Sequence, residues 1–559
     1  MLSQGFGSFD YSRSFLRLDS GSLPFLGTKL SISSSYTEAD KWKGPGDLGP
    51  RKNLNFMLSQ PVPDQDDIKF WFNFNDQKQD LYRPLSYAEF RQLDANYSKD
   101  YNNRLTGVRA RDINYYLYNQ ADLTNYDLFA VLPLKLSDCL KFSLKPYYAN
   151  EDSSILNGST SQGGLVTERL RDIERYGVMA DATADFDWLK ASVGYWFESV
   201  DMSITTRNFL PGSLAFRGYG IFSESEDEGR LHSPYLRLAG SYCGFDWQAG
   251  VKYFYYRDPA TRGYVSQAPT FRLVRAPDLD RVAKTYDEFL PTVGLAYNWS
   301  ENFQTYASYG RNQIRPYSYV PIINIYSQNR ARFQAAGITL ADLFEGYDME
   351  ITDAFELGTR YRKDWFEVMP TFFFSKNKNL LVTIYDPRVN LNYQQNVGKA
   401  TGIGFEMETN FYVNDYLTAF INPTYVSLTL DEDLTFAGNR LDTEGKQVTD
   451  TPEWFVKAGL SFKYRGFEVV PMVRYVGERY GDAENTQRVG DHFLADLRLS
   501  YTYNRLPMAN AVKVSLDLYN LFDRKYVAGI NAGDDTRQGQ ATYFVGPPFT
   551  AVVKLSMDF

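Results

Sequence analysis

The densest group of residues able to recognise a ligand lies between Arg311 and Arg332, where Arg311, Arg315, Tyr317, Tyr319, Tyr326, Arg330 and Arg332 fall within 22 residues. Guanidinium forks and phenol rings suit anionic or aromatic ligands, catecholate-like ones included, through stacking, cation–π contact and charge-assisted hydrogen bonds. Tyr385 and Arg388 make a smaller pair of the same kind. A competing reading puts Tyr317 and Tyr319 in an aromatic girdle at a membrane interface and turns the arginines toward lipid headgroups. Both stay open here. Ligand binding is carried forward as the expectation for Arg311, Arg315, Tyr317, Tyr319, Tyr326, Arg330, Tyr385 and Arg388.

Other chemistry is poorly supplied. Two histidines, His232 and His492, and two cysteines, Cys139 and Cys243, leave too few soft ligands for a zinc or copper site or a Cys/His catalytic pair. The histidines read as polar groups just before the tenth and twentieth strands counted below, and the cysteines as unpaired turn residues. The acidic runs Glu224, Glu226, Asp227, Glu228 and Asp431, Glu432, Asp433 lack the spacing of a calcium loop and read as solvated loop tips. Glu406 and Glu408 share one strand face, yet no nucleophile or metal ligand accompanies them. No catalytic residue, resident metal or cofactor is expected, and the chain is not expected to be an enzyme.

Composition narrows the class. The 559 residues carry 59 basic and 68 acidic side chains, a net charge of −9, with the basic residues scattered rather than striped, so a nucleic-acid surface is excluded. Aromatic residues make up 16% and hydrophobic residues 43%, which excludes disorder. No run of 18 consecutive apolar residues occurs, so a membrane role requires a barrel of strands. The start Met1-Leu2-Ser3-Gln4-Gly5-Phe6-Gly7 has no basic region followed by an apolar stretch, and the expectation is that any export signal lies outside this numbering.

The elements that must position these residues show a period of two. Phe559, Met557, Leu555, Val553, Ala551 and Phe549 alternate with Asp558, Ser556, Lys554, Val552 and Thr550. Successive strand residues point to opposite faces, so this segment has one apolar and one largely polar side. The pattern recurs at Val512 to Tyr519, Phe493 to Tyr503, Ile403 to Glu408, Leu140 to Lys145 and Ile68 to Phe74. A soluble β-sandwich alternates too, so turns and length must decide.

Ten short links rich in Asp, Asn or Gly occur at Gly21 to Gly27, Val62 to Asp67, Ser137 to Cys139, Asp185 to Trp188, Tyr242 to Trp247, Asn298 to Asn302, Lys363 to Trp365, Val413 to Tyr416, Tyr464 to Phe467 and Asn504 to Asn510. Longer polar segments lie between them, the largest running roughly Asn75 to Asn125, Ser199 to His232 and Arg311 to Asp353. This short-long order predicts an all-β fold: a transmembrane antiparallel β-barrel of 22 strands, with short periplasmic turns and long extracellular loops, spanning residues 1–559 as one domain. At about 10 crossing residues per strand the wall uses roughly 220 residues, which leaves large loops. A barrel also reconciles a mean hydropathy of −0.41 with lipid, because only alternate residues face hydrocarbon.

The run Ser515-Leu516-Asp517-Leu518-Tyr519-Asn520-Leu521-Phe522-Asp523-Arg524-Lys525-Tyr526, with Gly546-Pro547-Pro548-Phe549-Thr550 and the terminal Phe559, resembles the last two strands of TonB-dependent outer-membrane receptors. Gly5-Phe6-Gly7-Ser8-Phe9-Asp10 resembles their first barrel strand, Phe289 to Leu295 with Tyr306 to Gly310 their middle, and Asn396 to Glu406 their sixteenth strand. The resemblance implies uptake of a scarce, bulky nutrient, most often a ferric siderophore, across a Gram-negative outer membrane. It implies contact with outer-membrane lipid and lipopolysaccharide, and with the TonB complex through a plug domain. Here the barrel pattern starts almost at Met1, so the plug is expected to be absent from this chain and supplied in cis by a longer product or as a separate chain. A monomer is expected. The rival readings are a passive large-pore porin and a soluble all-β carbohydrate-binding or hydrolytic protein.

Overall fold

The computed structural model describes residues 1–559 apart from Phe25, 317–319, Arg505 and 535–539. The wall begins with β1 (Leu2–Gly7), β2 (Tyr11–Ser22), β3 (Lys29–Glu38), β4 (Arg51–Gln60), β5 (Ile68–Asp80), β6 (Gln120–Lys135), β7 (Leu140–Ser159), β8 (Leu165–Asp185) and β9 (Lys190–Phe209). It continues through β10 (Gly229–Tyr242), β11 (Phe245–Asp258), β12 (Lys284–Ser300), β13 (Phe303–Ile314), β14 (Glu350–Lys363), β15 (Phe366–Asp386) and β16 (Leu391–Asn414). The last six are β17 (Leu417–Leu430), β18 (Trp454–Tyr464), β19 (Phe467–Val476), β20 (His492–Tyr503), β21 (Ala511–Tyr519) and β22 (Thr550–Asp558). Each pairs antiparallel with its sequence neighbour, and β1 pairs with β22 from Leu2↔Met557 to Gly7↔Val552, so the sheet closes.

Register decides which side chains meet lipid. On three neighbouring strands Leu357 opposes Phe372, which opposes Phe405, and Phe374 opposes Ile403. Leu357, Phe372 and Ile403 are each more than half exposed, as an outer wall facing hydrocarbon requires. The alternate residues face a polar bore. There Lys145 Nζ lies 2.6 Å from Asp181, the Tyr147 hydroxyl donates to Glu198 at 2.6 Å, and Trp196 Nε1 donates to the Tyr147 oxygen at 2.8 Å. A soluble sandwich would bury its apolar face between sheets, so the closed wall with an apolar exterior excludes that rival.

All ten short links join consecutive strands at one end. The long segments are shorter than the sequence suggests, because the strands continue past the apolar band. β7, β8 and β9 have 20, 21 and 20 residues, and β15 and β16 have 21 and 24. The loops are therefore 81–119, 210–228 and 315–349. His232 lies inside β10 rather than before it, with Nδ1 2.6 Å from the Tyr195 hydroxyl, and His492 is the first residue of β20. Cys139 and Cys243 are free and exposed at two of the turns.

The buried apolar clusters sit mostly at the long-loop end. One gathers Ile322, Ile325, Tyr326, Phe333, Leu343 and Phe344, and another Leu85, Tyr97, Val489, Val527, Tyr543 and Val545. Loop 81–119 meets the loop before β22 through backbone bonds of 2.8 and 2.9 Å between Leu85 and Tyr543. Beneath this junction Lys41 Nζ lies 2.7 Å from Asp100 Oδ2 with both side chains sealed from solvent. Lys43 donates to the Arg83 and Lys99 carbonyls at 3.1 Å each, and burial pushes its ammonium down to about 8.

Replacing Leu357, mid-strand on the outer face of β14, by Arg is expected to lower stability by roughly 2–4 kcal/mol. Urea unfolding from lipid vesicles reads this as an earlier midpoint. Asn73→Arg, on the bore side of β5, should leave the midpoint in place; equal losses at both positions would contradict the assigned faces.

Candidate ligand site

The arginines nominated by the sequence are dispersed among separate partners, three of them in ion pairs and Arg315 on an aromatic ring. Arg311, near the end of β13, forks onto Asp353 of β14 at 2.8 and 3.0 Å and reaches Glu288 at 3.1 Å. Arg311 opposes Asp353 in register, two residues beyond the Tyr309 and Phe355 pair, so it stands on the outer face just past the apolar band. Arg315 stacks on the Tyr256 ring, 3.7 Å from its centroid. Arg388 forks onto the fully buried Asp386 at 3.0 and 2.9 Å, and the Tyr393 hydroxyl donates to the same carboxylate at 2.5 Å. Tyr317 and Tyr319 lie outside the described residues.

Tyr326 and Arg330 belong to the loop between β13 and β14, which carries three helices, Val320–Gln328, Arg330–Ala335 and Leu340–Glu345. The run Thr339 to Phe344 reads in the sequence as one short helix with Thr339 as its N-cap, and the third helix is capped in that way: Thr339 Oγ1 accepts from the Asp342 amide at 3.2 Å and Asp342 Oδ2 accepts from the Thr339 amide at 2.7 Å. The first two helices were missed, although Pro321 near a start and Ile322, Ile325 and Tyr326 at helical spacing signal one. Tyr326 is fully buried against Phe333, with ring centroids 4.9 Å apart. Arg330 Nε and Nη2 donate to Asp278 at 2.7 and 2.5 Å, and Gln334 donates to it at 3.0 Å. Asp278, in the loop between β11 and β12, is thereby the clamp that holds this helical loop. Arg332 only reaches the Asn390 carbonyl, at 3.3 Å.

The acidic runs are likewise tied to different partners. Tyr264 donates to Glu224 at 2.5 Å, Arg262 to Glu226 at 2.8 Å and Tyr176 to Glu228 at 2.7 Å. Asp431, Glu432 and Asp433 meet Lys376, Lys399 and Arg440 respectively.

Two cavities at the long-loop end take in nominated residues: one of about 420 Å³ is lined by Arg330 with Arg169, Asn208 and Asn324, and one of about 490 Å³ is lined by Tyr385. Two cross-strand pairs build one wall of the latter, Thr383 opposite Gln394 and Tyr385 opposite Asn392, at the tops of β15 and β16. The rest includes Tyr87 from loop 81–119, Leu430 at the end of β17, Leu441 and Val448 from the loop after it, Gly481 to Glu484 with Thr486 and Gln487 from the loop after β19, and Gly533 and Gln540 from the loop after β21. Gly533 must be small here, since a Cβ would stand 2.6 Å from Thr383 Oγ1 and 3.0 Å from Gln394 Nε2. Asp482 shapes its own loop by accepting from the Gln487 amide at 2.7 Å and Thr486 Oγ1 at 2.6 Å. Sequence reasoning missed this lining because it comes from five places in the chain, Tyr87 of loop 81–119 included; the amide-rich run Asn392-Tyr393-Gln394-Gln395-Asn396 is its one local signal.

Comparison with known proteins places this geometry. A family model described as TonB dependent receptor-like, beta-barrel matches residues 31–521. The ferrichrome outer membrane transporter/phage receptor of Escherichia coli (strain K12) is 26% identical over 177 residues, 31% of this chain and 23% of that protein. The alignment thus spans less than a quarter of that relative. The ferric citrate transporter FecA in its unliganded form superposes on 100% of this chain and 78% of its own with a TM-score of 0.73 at 16% identity. The ferric yersiniabactin uptake receptor FyuA from Yersinia pestis does so over 100% and 79% with a TM-score of 0.71, also at 16% identity. At such identities the superpositions speak for the fold.

Arg330 holds the Asp278 carboxyl below the usual carboxylate range, chiefly through its hydrogen bonds. A depressed folded-state value means the clamp is at full strength above the unfolded-chain pKa and weakens as pH falls through the folded one. Amide exchange over Arg330–Ala335, corrected for intrinsic rates, is expected to be slow at neutral pH and to speed up in strong acid. Asp278→Asn should already exchange faster at neutral pH, by about fivefold for roughly 1 kcal/mol. Identical protection in the two proteins would remove the clamp.

Proposed function

The chain belongs to the TonB-dependent receptor family through its β-barrel, and from that premise we propose that it takes up a scarce, bulky metal chelate, a ferric siderophore foremost. Its place is the Gram-negative outer membrane, as for the family, whose members are receptors and transporters. The observation that carries the reading is the loop architecture: a wide closed barrel whose outer mouth is crossed by loops with their own packed cores, enclosing a cavity of ligand size. A diffusion pore gains nothing from such a roof.

On this reading residues 1–559 form one barrel domain in a monomer, surrounded by lipid and lipopolysaccharide. A plug, in cis or on a separate chain, fills the bore and passes TonB-derived work to the cargo site. Polar bore pairs such as Lys145 with Asp181 and Tyr147 with Glu198 give such a plug a hydrogen-bonding wall. Among the nominated residues, Tyr385 is proposed to meet the cargo directly. Arg311, Arg315, Tyr326, Arg330 and Arg388 support that role by holding loops and strand ends in place, and Tyr317 and Tyr319 remain proposed contacts.

Deleting the gene is expected to stop growth on a limiting metal chelate that the parent strain uses, and re-expression should restore it only in cells with an active TonB complex. Restoration in cells lacking TonB, together with steady ligand-independent conductance of the protein in planar bilayers, would replace this reading with a passive porin.

A further inference from the structure

We propose that loop 81–119 is a clasp that locks the seam between β1 and β22, so that the wall parts sideways at this seam only once the loop has undocked. The device operates whatever the cargo. β1 is the shortest strand of the wall and meets β22 through six residues, Leu2–Gly7, whereas β7 and β8 are paired over 20. Opening the sheet anywhere exposes two strand edges to lipid, and a joint with few pairs opens at the lowest cost. The joints beside β1 are therefore where a brace outside the membrane has most effect.

Loop 81–119 leaves the top of β5 and reaches the hairpin Val527–Asp534 with Gln540–Val545, which stands between β21 and β22 on the far side of the seam. The backbone bonds between Leu85 and Tyr543 join the two, Phe90 stacks on the Tyr543 ring with centroids 5.1 Å apart, and the Tyr97 hydroxyl donates to the Gly546 carbonyl at 2.8 Å. Leu85 and Tyr543 are fully buried, so apolar burial holds the joint as well as polar bonds. The near side is anchored too. In the link between β3 and β4, Lys41 donates to the Leu81 carbonyl at 2.7 Å and pairs with Asp100, and the Trp42 ring lies 5.0 Å from that of Tyr97. The Asp40 amide of the same link donates to the Phe9 carbonyl, in the turn between β1 and β2, at 2.7 Å. The Ala551 amide of β22 in turn donates to Ser8 Oγ at 3.0 Å. The contacts thus form a ring from β22 through the hairpin, loop 81–119, the β3–β4 link and the β1–β2 turn back to β22. Its members stand on both sides of the seam, so β1 and β22 cannot separate while the contacts of Leu85, Phe90 and Tyr97 hold.

The test is amide exchange of the whole chain in lipid nanodiscs, read by mass spectrometry over peptides of β1, β22 and, for reference, β8. Phe90→Ala combined with Tyr543→Ala is expected to speed exchange in β1 and β22 by a factor on the order of 10 to 100 and to leave β8 at the parental rate. The milder Tyr97→Phe, which removes one hydroxyl, should give roughly a fivefold increase at the same two strands. Phe333→Ala, in the other buried cluster, should leave β1 slow. Ser3 and Ser556 face each other across the seam on the bore side, so Ser3→Cys with Ser556→Cys can bridge it once Cys139 and Cys243 are replaced by Ser. With that bridge formed, the Phe90 and Tyr543 substitutions should no longer speed exchange in β1. Heat-modifiable gel mobility checks that each variant is a closed barrel; should the double variant fail to close, Tyr97→Phe decides. Parental exchange in β1 with the clasp contacts removed, equal acceleration of β8, or acceleration that persists across the bridged seam overturns the clasp.

Discussion

Six residues, Leu2–Gly7, join both ends of a 22-strand sheet, pairing with β2 on one side and β22 on the other. In hydrocarbon an unpaired strand edge leaves backbone N–H and C=O groups without partners at several kcal/mol each, so this junction cannot stand open. Closure in turn fixes the register of every strand. A slip of one residue would carry Lys554, Asp517 or Arg498 to the lipid side, and neighbouring strands would have to follow. The short β1 is thus under more constraint than its length suggests. It has no spare residue on either edge.

Closure also explains where the apolar cores are. A barrel of this width has a wet bore and puts its large apolar side chains outside, so no central core forms within the wall. The loops at one end, too long to be held by strand pairing alone, bury Leu85 with Tyr543 and Tyr326 with Phe333 to obtain one. Ion pairs then fix how these small cores sit: Lys41 with Asp100, Arg330 with Asp278, Arg388 with Asp386. Removing one partner from the sealed Lys41 and Asp100 pair would leave an uncompensated charge, a cost of about 3–5 kcal/mol, whereas the pair as a whole adds little. Such pairs specify geometry more than they stabilise it.

The wall was legible in the sequence because lipid imposes period two wherever it touches the chain. All ten turns and the strand number follow from that pattern and from Asp, Asn and Gly between its copies. Legibility stops where lipid stops. In the upper part of β7 and β8, Asp152 faces Asp172 and Glu151 reaches Arg171, so neither side is apolar and the segment reads as loop although it is paired throughout. Helices were readable where a cap was explicit, as at Thr339, and passed over at Ser86, which forms a capping box with Glu89 that its spacing announces. Arginine content was plain, but no local pattern shows that Arg330 would find Asp278, 52 residues away.

That last gap bears on how recognition is built. An arginine is free to meet a ligand only if folding has left its fork empty, and here the carboxylates that fill the forks come from neighbouring strands, from adjacent residues and from distant loops alike. Arg388 takes Asp386 two positions away; Arg311 takes Asp353 across a strand pair. Each fork makes two parallel charge-assisted bonds, the strongest use of a guanidinium, so an anionic ligand would have to break one such pair to make another. Hydroxyls and amides at the tops of β15 and β16 are drawn in as well, Tyr393 onto Asp386, Tyr385 onto Asn390 and Asn396 onto the Asn379 carbonyl. The polar groups at this mouth are thus spent largely on holding the loops in place.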